Sequence, residues 1–201
     1  MKKVSTHWQQ ALPPERIGSA YFEEFAARAQ SAAAKVFRVK TAAEAQGLIL
    51  DIIKSSGTKK MVATKEVLSP SGLCNRLHSM DVTLYCEQSD IRVHADTADL
   101  GIARVEFGIA ETGSVCEDSL AIEQRLVTTL PPISIVLMNS SHVVPSIAAA
   151  FETISQVFDH GYISFITGPS RTSDIERVLT IGVHGPSQFI IIAIDEATRE
   201  V

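Results

Sequence analysis

The densest run of residues able to do chemistry lies between positions 161 and 186. It reads Gly161-Tyr162-Ile163-Ser164-Phe165-Ile166-Thr167-Gly168-Pro169-Ser170-Arg171-Thr172-Ser173-Asp174-Ile175-Glu176, and it is followed by Val183-His184-Gly185-Pro186. An apolar, strand-like run over 162–166 breaks at Gly168-Pro169 and opens a polar loop. Ser173 and Glu176 have the Ser-x-x-Glu spacing of a capping box, which predicts a helix over 174–179 with Ser173 as its N-cap. A helix that starts after such a loop offers free backbone N–H groups and the positive end of its dipole to an anion. Arg171 adds a planar fork of donors suited to carboxylate or phosphate, and Ser170 and Thr172 add hydroxyls. The same residues also read as a turn, a cap and a solvated charge, and spacing alone does not choose. No Gly-x-x-x-x-Gly-Lys-Ser/Thr string is present, so a P-loop is not indicated.

A second polar stretch, Glu111-Thr112-Gly113-Ser114, follows the apolar 107–110. Gly113 permits a tight turn and a close backbone approach. Glu111 at a strand end has the chemistry of a base, a nucleophile or an acceptor. The alternative is a hairpin turn with an exposed glutamate. His184, held between turn residues, is a candidate acid/base or ligand anchor, and otherwise a solvated loop histidine. Asp174 and Glu176 are two apart on the expected helix and so point in different directions, which does not suit paired carboxylate catalysis. His78, His94, His142 and His160 share no metal-ligand spacing, and no metal site is expected. Cys74, Cys86 and Cys116 are far apart without a Cys-x-x-Cys pair, so an iron–sulfur or zinc site within this chain alone is not expected.

The elements that must position these residues follow from the pattern of apolar positions. Helices are expected over 16–35, 42–54 (after a capping box at Thr41 and Glu44), 145–158 and, weakly, 67–77; a short helix or turn is expected over 120–126. Strands are expected over 36–39, 60–63, 82–85, 102–110, 133–138, 163–166 and 189–194. The segment 90–104 fits poorly and reads as an antiparallel insertion or an irregular loop. Strands alternating with helices predict an α/β domain with a mostly parallel sheet. Continuous apolar strands such as Ile190-Ile191-Ile192-Ala193-Ile194 suit a sheet covered on both faces. Ligands in such sheets bind at the carboxyl ends of strands. The loops 111–114 and 168–173 both follow expected strands and should be neighbours on one rim; Lys65, just after the strand 60–63, either reaches that rim or is a surface lysine.

The bulk composition narrows the function classes. The chain has 201 residues, 45% hydrophobic and 20% charged, with a net charge of -5. That balance leaves no basic footprint for nucleic acid. No apolar run reaches the roughly 20 residues of a transmembrane helix. Residues 1–14 read as a polar leader without a secretory core, and 15–201 as a single domain. A cytoplasmic location is the expectation.

The strings Ile166-Thr-Gly-Pro-Ser-Arg-Thr-Ser-Asp-Ile-Glu176 and Gly182-Val-His-Gly-Pro186 resemble the C-terminal signature of the LUD domain family, the LutC/YkgG-type lactate utilization proteins. Three further stretches match in order: Phe107-Gly-Ile-Ala-Glu-Thr-Gly-Ser114, Arg125-Leu126 before Leu130-Pro-Pro-Ile-Ser-Ile-Val136, and Val144-Pro145. The resemblance covers about residues 15–195. It implies a Rossmann-like α/β fold of the sugar-phosphate isomerase/CoA-transferase (NagB/RpiA-like) group. It also implies membership in a system oxidising L-lactate to pyruvate, with two iron–sulfur proteins as partners. A cleft between the two loops would then bind a small anionic ligand through Thr112, Gly113, Ser114, Gly168, Pro169, Ser170, Arg171, Thr172, Asp174 and Gly185. Glu111 and His184 would position the ligand or move protons. No cofactor is identified. By analogy with CoA transferases, the alternative is an autonomous enzyme acting on a phosphorylated or CoA-linked substrate through Glu111.

Overall fold

The computed structural model describes residues 8–12, 19–68, 76–77, 80–157, 161–175, 178–181 and 184–195. Its centre is a six-stranded sheet in the order β1-β12-β7-β4-β2-β3, formed by β1 (Lys35–Val39), β2 (Lys60–Ala63), β3 (Thr83–Tyr85), β4 (Leu100–Arg104), β7 (Ile133–Asn139) and β12 (Gln188–Ile194). Every neighbouring pair in it is parallel. A second sheet, in the order β8-β5-β6-β9, is built from β5 (Phe107–Ile109), β6 (Ser114–Asp118), β8 (Val143–Val144) and β9 (Ile163–Ile166). A separate antiparallel pair joins β10 (Arg171–Ile175) to β11 (Val178–Ile181). The helices are α1 (Trp8–Ala11), α2 (Phe22–Ser31), α3 (Ala42–Ser56), α4 (Lys65–Leu68), α5 (Gln88–His94), α6 (Ile122–Thr129) and α7 (Ile147–Val157).

Alternation along the apolar strands builds two cores. Ile190, Ile192 and Ile194 of β12 face one way, with Ile133, Ile135, Leu100, Ile102, Met61 and Ala63, and meet Ala45, Ile49, Leu50 and Ile53 of α3. Phe189, Ile191 and Ala193 face the other way, with Val136 and Met138, and meet Phe22, Phe25 and Ala29 of α2. A strand whose successive residues all find apolar cover must be apolar throughout, which is why β12 reads as an unbroken run. The second sheet packs α2 through Ala110 and Val115, and its Phe107, Ile109 and Cys116 pack Ala150 and Ile154 of α7. Residues of the polar leader take part: Leu12 is buried in that last cluster, and Trp8 Nε1 donates to Asp118 Oδ2 at 2.9 Å.

The local signals at α3 hold at both ends. Thr41 Oγ1 accepts from Glu44 N at 3.2 Å, Glu44 Oε2 accepts from Lys40 N at 2.8 Å, and Gly57 closes the helix at φ 69°.

Three expectations are corrected. The expected strand 102–110 is two strands in different sheets: Val105 N still donates to Leu137 O of the central sheet, while Glu106 N donates to Cys116 O of the second. A continuous apolar run carries no mark of such a change of partner. The segment 90–104 is neither an insertion nor a loop; α5, a 3-10 turn over Ala95–Thr97 and central strand β4 occupy it. Only Ile91 of α5 is buried, which is too little apolar periodicity to read. The expected helix over 174–179 is instead the β10–β11 hairpin, with Arg171 opposite Ile181, Thr172 opposite Thr180 and Ile175 opposite Val178. The β-branched residues at 172, 175, 178, 180 and 181 favour extended backbone over a short helix that would be marginal on its own. Glu176 lies outside the described residues, as do residues 69–75 of the weak helix 67–77.

Candidate functional site

Loss of the 174–179 helix removes the expected helix N-terminus, so backbone dipoles no longer argue for an anion there. What remains is a junction of loops. Ser170 N donates to Pro186 O at 2.8 Å, which brings the loop before β10 against the loop before β12. A side chain at Gly185 would stand 3.1 Å from Ser170 Cβ. Ser187 N and Gln188 N both donate to Pro132 O, at 2.9 and 3.1 Å, tying the junction to the start of β7. Arg171 and His184 are exposed on it, while Ser170 and Gly185 are partly covered. The junction therefore stands over the amino edge of the central sheet, where β7 and β12 begin. The expected carboxyl rim is the opposite edge.

The loops 111–114 and 168–173 are neighbours, as expected. Val115 of β6 pairs Ile166 of β9, and Ser114 Oγ lies 2.6 Å from Thr167 Oγ1. Their contents divide differently from the expectation. Gly113 (φ 68°) turns its hydrogen toward α2, where a Cβ would fall 2.2 Å from Ala29 N. At Gly168 (φ 75°) a Cβ would fall 2.2 Å from Ala32 O. Both glycines thus admit the end of α2, and neither needs a ligand to explain it. Thr112 Oγ1 accepts from Ser114 N at 3.3 Å, within the turn. Glu111 is exposed, and its Oε2 accepts from Ile147 N at 2.9 Å, capping the start of α7. It forms no ion pair or hydrogen bond with His184. Pro169 is buried beside the junction; the side chains of Thr172 and Asp174 lie outside the described residues.

Two groups were not read from the sequence. Glu117 of β6 is buried at 1% exposure, with Ser119 Oγ 2.6 Å from its Oε2 and Gln124 Nε2 and Thr128 Oγ1 at 3.4 Å. Burial pushes its carboxyl pKa up, against the pull of those hydrogen bonds and of Arg125. The second group lies on the carboxyl edge of the central sheet: Arg104 ends β4, and His142 follows the end of β7. Burial first, then the Arg104 charge, holds the His142 pKa down, against a hydrogen bond to the Glu106 backbone. Lone titratable residues outside any motif give no spacing signal, so only the fold reveals them. Cys116 is buried and its thiol pKa is pushed up by burial and by Glu106, Asp118 and Glu117, so it is inert as a nucleophile. Among the described residues, no three His, Cys, Asp or Glu stand close enough to hold a metal ion; Cys74, His78 and His160 are not among them. No helix among the described residues is long and apolar enough to cross a membrane.

A family model described as LUD domain matches residues 22–194. A protein of Anoxybacillus flavithermus named Lactate utilization protein C is 31% identical over 147 residues, covering 72% of this chain and 67% of that protein. A Geobacillus thermodenitrificans protein of the same name is 36% identical over 107 residues, covering 51% of this chain and 45% of its own length. Uncharacterized protein YkgG of Escherichia coli K12 is 33% identical over 107 residues, with 51% and 46% covered. The chain thus spans less than half the length of the last two. The crystal structure of a DUF162 family protein from Deinococcus radiodurans superposes with TM-score 0.62 at 18% identity, over 87% of this chain and 96% of that one, which shows the shared α/β fold.

Proposed function

Because the chain belongs to the LUD domain family, we propose that it serves lactate utilization, the process its relatives are named for, as an anion-binding subunit of a lactate-oxidising system. The observation that supports this reading is the loop junction. There Arg171 offers a guanidinium fork and His184 a ring, on either side of Ser170 and Gly185, held by the Ser170–Pro186 hydrogen bond. Arg171 is exposed, and its planar fork of donors suits a carboxylate or phosphate. Among the described residues, no group of His, Cys, Asp or Glu is placed to hold a metal ion, and the sequence has no Cys-x-x-Cys pair. The reading therefore assigns the iron–sulfur centres of the system to two partner proteins.

The test is a thermal-shift and calorimetric screen of carboxylates, sugar phosphates, nucleotides and CoA esters against the wild type and Arg171→Ala. Because Arg171 is exposed, its removal should weaken the junction's anion by about 1.5–5-fold, the range of a solvent-screened charge contact. Arg171→Lys should recover only part of it, because the fork is lost. If no anion stabilises the protein, and no iron–sulfur protein co-purifies with it, the reading fails.

A further inference from the structure

The second sheet ends in an open edge. In the order β8-β5-β6-β9, β6 pairs β9 on one side, and among the described residues no strand pairs its other side. Ser119 N donates to Tyr162 O at 2.9 Å, which continues the β6–β9 register. Backbone N–H and C=O groups alternate in direction along an antiparallel strand. Tyr162, Ser164 and Ile166 therefore turn theirs toward β6. Ile163 and Phe165 turn theirs outward, to the open side.

A strand edge left to water is ordinarily guarded by a charge, a proline or a bulge. None guards β9. The run Tyr162-Ile163-Ser164-Phe165-Ile166 holds no charged residue and no proline, and its register on β6 is unbroken. Apolar surface flanks it on both faces. Phe165 stands opposite Cys116, on the face that packs α7, and its ring meets that of Phe151 of α7 edge-on at 5.8 Å. On the other face lies the Tyr162 ring, with the Arg125 guanidinium 4.6 Å above it. Phe151, Phe165 and Tyr162 are 57%, 40% and 57% exposed. At about 200 Å² for a whole aromatic side chain, they leave roughly 300 Å² in water. That is a substantial part of the roughly 800 Å² each partner gives to a standard interface. Ile147, one turn before Phe151, and the strand backbone add to it.

We propose that β9 is an interface between two copies of this chain, which pair antiparallel through their open edges about a two-fold axis at Ser164. The outward groups fix this register. Ile163 exchanges both backbone hydrogen bonds with Phe165 of the second copy, and Phe165 does so with its Ile163. Ser164 then faces Ser164, and Tyr162 faces Ile166. Under this symmetry the strand is its own complement. Each aromatic side chain meets an aliphatic one, and the paired strands bring no two charges together. Every position finds its match within the same five residues, which is why the occupant is a second copy. The two second sheets join into one. The inference does not depend on the lactate reading and uses no residue of the loop junction.

Sedimentation velocity of the full chain over a concentration series tests this. The wild type should pass from monomer to dimer as its concentration rises. Phe165→Lys puts a charge on the edge at an exposed position; it should stay monomeric with an unchanged circular dichroism spectrum. Ser164→Cys reads the register. Residues facing each other across the axis, between the hydrogen-bonded pairs, have Cα atoms about 4.5 Å apart, within disulfide reach. Mild copper–phenanthroline oxidation should therefore link Ser164→Cys into a covalent dimer, and should not link the wild type. Phe165→Cys lies off the axis, with its two Cα atoms more than about 7 Å apart, and should not link. The proposal is overturned if the wild type stays monomeric up to about 1 mM, if a folded Phe165→Lys dimerises as the wild type does, or if Ser164→Cys does not link. Should Phe165→Lys fail to fold, the Ser164→Cys result decides alone. A wild type that stays monomeric and takes a strand of a different protein on this edge also overturns it.

Discussion

Replacing Gly113 by alanine separates a packing role for the Glu-Thr-Gly-Ser turn from a ligand role. Gly57 supplies the control, because the two residues share a conformation, with φ 68° and 69°. An L-residue held in that left-handed region costs about 1–2 kcal/mol. At Gly57 a Cβ meets nothing within 4 Å, so Gly57→Ala should lose only that amount. At Gly113 a Cβ would fall 2.2 Å from Ala29 N, 2.5 Å from Arg28 C and 2.7 Å from Ala29 Cα. All three are backbone atoms of α2, which cannot rotate away as a side chain can. The helix must shift, and it carries the buried Phe22, Phe25 and Ala29. Overpacking of this kind adds about 1–3 kcal/mol, so Gly113→Ala should lose about 2–5 kcal/mol in all. With a urea dependence of about 2 kcal/mol per molar, the midpoint should fall by about 1–2.5 M, against about 0.5–1 M for Gly57→Ala. Equal losses in the two variants would refute the packing argument. Unchanged stability with lost anion binding would return Gly113 to the ligand.

Two further outcomes follow from the placement of carboxylates. Glu111→Ala should cost about 0.5–2 kcal/mol by uncapping α7, while calorimetry finds anion affinity unaltered; a large loss of affinity with unchanged stability would restore Glu111 to the chemistry. Glu117 has a raised folded-state pKa, so the folded protein holds that proton after the unfolded chain has released it. Its contribution to stability therefore declines as pH rises from the unfolded carboxylate value, about 4.3, through the folded value. Glu117→Gln should flatten that decline in urea melts taken across the range, and an unchanged slope would contradict the buried-carboxyl assignment.

The core was legible because its signal is repetitive. Strands β2 and β9 have the expected bounds, and β12 differs by one residue at its start, because each is an apolar run bounded by turn residues. The capping box at Thr41 worked because α3 continues it with apolar residues at helical spacing. The same spacing at Ser173 failed because β-branched residues follow it, and a local motif loses to the propensity of its neighbours. The change of sheet at Val105–Glu106 was hidden, since both strands are apolar and pairing partners leave no trace in one strand's pattern. Of the candidate site, the meeting of Ser170 with Gly185-Pro186 followed the motif. The capping of Ile147 by Glu111 and the neighbourhood of Arg104 and His142 depend on residues far apart in sequence, and only the folded chain brings them together.

The central claim, a role in lactate utilization, is tested most directly by growth. A strain lacking this chain should fail to grow on L-lactate as sole carbon source, should grow on pyruvate, and should recover on lactate when the wild-type chain is restored. Equal growth on lactate with and without the chain would contradict the account.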